Sequence, residues 1–170
     1  MSKVDFILGF DPSLNGTGYC VLDVRRKHPK ITEVGTVQGR NKTWGEEDTT
    51  SVKLTLISAK TRELVAKYRP AYPSVFLERG FSNQFNNSTQ AGFRARGALE
   101  AELVGFDIVE FPPTQVKKVI GKEGFAAKET VAESVAEFLN VPMETFANDN
   151  ESDAAAVAVL GWLKHVKGAK

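Results

Sequence analysis

Cysteine is almost missing: Cys20, inside an apolar run, is the only one in 170 residues. A single thiol excludes an internal disulfide framework and a multi-cysteine zinc site, and it fits a reducing compartment. An excess of one charge is missing too. The 22 Lys and Arg against 21 Asp and Glu leave a net +1, so any basic surface must be local. No apolar run approaches the ~20 residues of a membrane span, and no basic-then-apolar leader opens the chain. A cytoplasmic protein with no membrane partner is expected. Of the two histidines, His28 falls in a polar loop and His165 roughly 18 Å along a helix from Asp153. Both are expected at the surface. What remains is ordinary, with 42% hydrophobic and 25% charged residues, and it suits one domain over 1–170 with a real core.

Along the chain, Val4 to Phe10 reads as a buried strand, joined by the tight turn "DPSLNG" to a second from Thr17 to Val24. The polar "RRKHPK" turns the chain into a third strand, Ile31 to Val37. From about Thr49 to Tyr68 the apolar positions fit a helix better than alternation, and "RPAYP" stops it. Ser74 to Leu77 is a short strand, Ala91 to Leu103 a helix, and Phe106 to Phe111 a strand stopped by Pro112 and Pro113. Thr114 is a candidate cap for a short helix through Ile120, followed by helices over Glu129 to Leu139 and Asp153 to Val166. Three leading strands suggest an antiparallel meander, and the strand–helix–strand units after them demand parallel neighbours. The expected fold is α/β: a mixed five-stranded sheet with helices on both faces.

Two of these strands end on an acid, Asp11 after "ILGF" and Glu78 after "VFL", and Asp153 opens the last helix in "ESDAAAVAVLGW". In such sheets, ligands collect beyond strand ends near switch points. If the last helix extends back, Asp149 shares the face of Asp153, while Glu151 lies nearly opposite. Converging carboxylates repel unless a cation sits between them, and hard oxygen ligands select Mg²⁺ or Mn²⁺. Two such ions activate water and stabilise the leaving oxygen of a phosphodiester. Plainer readings stay open residue by residue: Asp11 as a turn residue, Glu78 as the partner of Arg79, Asp149, Asn150 or Ser152 as the helix cap, and Asp153 as a first-turn acid. Their joint order in a mixed sheet favours the metal site.

With these features the chain resembles the ribonuclease H-like superfamily, and within it the RuvC-type Holliday junction resolvases, over about residues 6–163. "ILGFDPSLNGTGYCVLD" looks like the family's first strand, acid, turn and second strand. "VFLERGFSNQFNNSTQAGFRARGAL" looks like its acidic strand and dimer-forming helix. "EFPPTQVKKVIGKEGFAAKETVAESVAEFLNVP" looks like its DNA-contacting segment, and "NESDAAAVAVLGW" like its last catalytic helix. The resemblance implies metal-binding acids at Asp11, Glu78 and Asp153. The family's fourth catalytic position, usually Asp and in some members His, falls on Asn150. There, either Asp149 substitutes or the position carries an inactivating Asp→Asn change. Ser13 replaces the usual glycine, and with "NDNES" it leans towards a phage or other divergent member.

The same resemblance implies an aromatic wedge at Phe81 and DNA contacts at Lys117 and Lys128. Lys118 and Lys122 complete a patch of four lysines against Glu123, suited to phosphate affinity rather than base reading. Arg94 and Arg96 are candidates for phosphate or a partner subunit. The helix bearing Phe93, Ala95, Leu99 and Leu103 is a candidate two-fold interface, with packing on the sheet as the alternative. The lead expectation is therefore a homodimeric endonuclease, with two Mg²⁺ or Mn²⁺ per site, nicking four-way DNA junctions in a bacterial or phage-infected cell. Rivals are a broader fork or flap nuclease, a junction-binding protein disabled at Asn150, and an actin-like or sugar-kinase ATPase. The last needs two such domains where 170 residues supply one.

Overall fold

The computed structural model describes residues 4–38, 49–80, 87–120 and 128–166. Five strands form one sheet in the order β3-β2-β1-β4-β5: β1 Phe6–Asp11, β2 Gly16–Asp23, β3 Lys30–Gln38, β4 Ser74–Glu78 and β5 Ile108–Phe111. The first three are antiparallel, and β4 and β5 run parallel to β1. The helices are α1 Thr49–Tyr68, α2 Asn87–Glu100, α3 Pro113–Ile120, α4 Lys128–Leu139 and α5 Asp149–Gly161. Strand alternation splits the core in two. Leu8, Phe10, Val21, Val75 and Leu77 pack with α1 and α2 on one face. Ile7, Cys20, Leu22, Phe76 and Phe111 pack with α3, α4 and α5 on the other. The mixed sheet with helices on both faces is as expected.

α5 lies unusually close to the sheet because the facing residues are small. A Cβ on Gly9 of β1 would come within 2.7 Å of Ala154 O and Ala158 Cβ. One on Gly18 of β2 would collide with the backbone of Asn150, and one on Gly161 with the ring of Phe76. The helix therefore starts over β2 beside the C-terminal end of β1 and runs back along the sheet towards Phe76. Cys20 is fully buried beneath it. Burial, with a smaller push from the Glu151 charge, holds its thiol well above the usual range.

Several boundaries differ from expectation. The last helix begins at Asp149, a turn before Asp153, and its cap is Asn148 rather than Asp149, Asn150 or Ser152. The Asn148 Oδ1 accepts from Glu151 N at 3.3 Å and from the Thr36 hydroxyl at 2.9 Å. Glu151 Oε2 in turn accepts from Ala147 N at 2.7 Å, which satisfies a further donor at the helix start. α2 starts at Asn87, four residues before Ala91. Thr114 is not a cap: Pro113 opens α3, as its missing N–H allows, and the Pro112 carbonyl accepts from Gln115 N and Val116 N. Of the candidate interface residues, Ala95, Leu99 and Leu103 are buried in this chain's own core, the alternative reading of that face, and Phe93 is exposed.

Gly9→Ala is expected to destabilise the fold by about 1–3 kcal/mol, because neither the Ala154 backbone nor the Ala158 methyl can move aside cheaply. Gly97→Ala is the control: nothing lies within 4 Å of its Cβ position on α2, and there the change should be neutral or stabilise by up to about 1 kcal/mol. Urea unfolding midpoints compare the two.

Candidate active site

β1 and β4 pair in parallel through Phe10 and Leu77. The next residue on each strand is an acid. Neighbouring strands run ~4.8 Å apart, so Asp11 and Glu78 are side by side at the sheet's C-terminal edge. Alternation puts Asp11 on the face of Gly9 and Glu78 on the face of Phe76, which is the α5 face. Both are half-buried. They line one open pocket of about 390 Å³, bounded by the Pro12–Asn15 turn, the first turns of α2, and Pro113.

The turn that leaves Asp11 is pinned by its own side chains. Thr17 Oγ1 donates to Ser13 O at 2.7 Å and accepts from Ser13 N at 3.2 Å. Lys53 of α1 reaches across to donate to Asn15 Oδ1 at 2.6 Å. Nothing in the sequence around Lys53 signals this contact, because it joins two distant segments.

Asp153 stands out on α5. From Glu151 to Trp162 every other residue is buried, and only Asp153 is half-exposed. It shares a stripe with Val157 and Gly161, and Gly161 rests on Phe76 of β4. Asp153 therefore lies on the side of the helix nearer β4. Asp149, one turn earlier on that stripe, is exposed. Asn150 points the other way: its Nδ2 lies 2.5 Å from where a Cβ on Gly16 of β2 would sit. Asp153, Asp149 and Asn150 do not line the pocket that holds Asp11 and Glu78. Among the described residues, no three His, Cys, Asp or Glu side chains stand close enough together to hold a metal ion. The donor chemistry still fits one. Two adjacent strand-end carboxylates, with a third on the near side of α5, offer only hard oxygen ligands, suited to a divalent cation of the Mg²⁺ or Mn²⁺ kind.

Of the expected DNA contacts, Lys117 is half-buried and Lys118 exposed on α3, and Arg94 is exposed on α2. Phe81 and Lys122 lie outside the described residues, and Lys128 is described only as the first residue of α4. His28 and His165 are exposed, as expected. Arg79, which the sequence offers as a partner for Glu78, pairs with Glu110 of β5, Nε to Oε2 at 3.2 Å. Arg96 holds the other Glu110 oxygen and also pairs with Glu100 at 2.6 Å. Residues 79 and 110 meet because β5 pairs with β4 and Arg79 N donates to Phe111 O at 2.8 Å.

A sequence profile of the family described as crossover junction endodeoxyribonuclease RuvC matches residues 7–161. The chain belongs to the RuvC family. A RuvC of Synechococcus sp. (strain CC9311) is 34% identical, over 94% of this chain and 99% of its own length. One of Parasynechococcus marenigrum (strain WH8102) is 32% identical, over 93% and 98%. Among solved structures, T. thermophilus RuvC in complex with a Holliday junction substrate superposes with a TM-score of 0.78 over 96% of each chain, at 23% identity. That likeness carries the fold, the ribonuclease H-like arrangement of RuvC. RuvC proteins are metal-dependent nucleases. Among the described residues of this member, no helix is long and apolar enough to cross a membrane.

The ion cluster at the pocket rim sets a pH dependence. Arg96, assisted by Arg79, holds the Glu110 carboxyl below its ordinary range. A carboxylate lowered in the folded state stabilises above its unfolded pKa, about 4.3, and that stabilisation is lost as pH falls through the lowered value. Glu110→Gln should therefore be less stable than the parent at pH 6–7. The gap should close below about pH 4, as read from urea midpoints across pH.

Proposed function

We propose that the chain is a Holliday junction resolvase: one ribonuclease H-like domain that nicks four-way DNA junctions symmetrically as a homodimer. The observation that carries this reading is the pair of adjacent strand-end acids, Asp11 and Glu78, in one pocket of a RuvC-family chain. Asp11, Glu78 and Asp153 would hold two Mg²⁺ or Mn²⁺ ions, and Asp149 is a further candidate one turn out from Asp153. When bound, such ions supply an activated water and charge stabilisation at the leaving oxygen of the phosphodiester. The chain's own share is positional. The sheet edge would present Asp11 next to Glu78, and Asp153 on the buried α5 would complete the set. Lys117, Lys118, Lys122 and Lys128 attract phosphates without reading bases. The aromatic Phe81 would act on bases near the crossover, and Arg94, exposed on α2, would contact phosphate or the partner subunit. Two cuts related by two-fold symmetry call for two copies of the site.

One observation favours a second reading. The Asn150 side chain packs towards Gly16 and carries no charge, so the family's fourth catalytic position supplies no anionic ligand. A chain with that gap is a junction-binding protein that cleaves poorly or not at all.

Both readings are tested on a labelled synthetic four-way junction with Mg²⁺ or Mn²⁺, beside linear duplex and flap controls, with binding measured in EDTA. Asn150→Asp is expected to nick the junction symmetrically at least about tenfold faster than the parent, and Asp11→Asn in that background to lose more than about 100-fold. Tight binding with no cuts from either form would leave the binding protein. Cuts on flaps as fast as on junctions would leave a broader branched-DNA nuclease. Neither binding nor cutting would overturn the reading.

A further inference from the structure

We propose that Arg79 is a substrate-phosphate-binding residue of the cleavage pocket, held in place by a relay from Glu110 to Arg96 to Glu100. The inference rests on the resolvase reading and adds a residue to its site. Arg79 follows Glu78 directly and lines the same pocket as Asp11. Its side chain is 60% accessible, so it is not a core cation neutralised by burial. The bond to Glu110 uses Nε. That leaves the two terminal guanidinium nitrogens, the edge that grips a phosphate bidentately, outside the pairing.

The holder is itself held. Glu110 is engaged on one oxygen by Arg79 and on the other by Arg96. Arg96 is only 19% accessible and is fixed one helical turn along by Glu100. A long arginine side chain loses much rotamer freedom when it binds a phosphate. Pinning its Nε beforehand removes part of that loss and aims the fork. Charge supplies the need. A pocket walled by Asp11 and Glu78 repels a phosphodiester, and among the described residues Arg79 is the cation that lines it. Glu110 and Arg96 act through Arg79 and are positioning residues.

The test compares the parent with Arg79→Ala, Arg79→Lys, Glu110→Gln and the double variant Arg79→Ala/Glu110→Gln, after thermal melts show each is folded. Junction binding in EDTA is measured across salt concentrations. Single-turnover cleavage at saturating enzyme is measured in the Asn150→Asp background with Mg²⁺. Arg79→Ala should weaken binding about tenfold and lower the salt slope by about one. Arg79→Lys should restore the slope but not the full affinity, because a point charge cannot make the fork. Glu110→Gln should weaken binding when Arg79 is present and do nothing further once it is absent; a purely structural role would persist in the double variant. Parent-like affinity, salt slope and cleavage in Arg79→Ala, with the parent active, would overturn this inference alone. A parent that neither binds nor cuts the junction would overturn it together with the resolvase reading.

Discussion

The position of Asp153 relative to the two strand-end acids depends on how closely α5 approaches the sheet. Gly9, Gly18 and Gly161 remove the side-chain layer that normally separates a helix from strands, and Ala154 and Ala158 fill the remaining gap. Helix and strands therefore meet almost backbone to backbone. Such a contact has little slack, because interiors are packed like crystals and any added methyl must displace something. The start of α5 is thus fixed relative to the end of β1, and Asp153 relative to Asp11 and Glu78.

The parts of the fold that are legible in the sequence are those governed by neighbours along the chain. The strand ending at Asp11, the twenty-residue helix α1 and the proline stop after Phe111 are local patterns, and the structure has them. The start of α5 is not local. Its cap, Asn148, is held by Thr36 of β3, 112 residues away, so nothing local separates it from Asp149, Asn150 and Ser152, the caps that the sequence suggests. The amphipathic face of α2 is legible as a face. Whether it covers the sheet or a second subunit is not, since both need the same apolar residues at the same spacing. The structure places Ala95 and Leu99 against the sheet.

The candidate acids are legible as an order, strand end, strand end and helix, because a carboxylate rarely ends a buried strand without a partner. The structure adds that Asp11 and Glu78 are neighbours across β1 and β4, and that Asp153 is the single half-exposed residue in a buried stretch of α5. The pairing of Arg79 with Glu110 is no more local than the cap at Asn148: it follows from the parallel pairing of β4 with β5, which nothing beside Arg79 in sequence announces. The tie from Lys53 to Asn15 is likewise a product of the tertiary fold.

The enclosure of Cys20 beneath α5 has a practical side. Thiol chemistry runs through the thiolate, and here the sulfur is both sealed from solvent and held protonated. The folded chain thus behaves towards maleimides and oxidants as though it had no cysteine at all. A reporter cysteine introduced anywhere on its surface would be its only reactive thiol, with no native residue to remove first. Any uptake of reagent by the unaltered protein would register an opening that exposes Cys20, whether α5 leaving the sheet or unfolding of the whole chain.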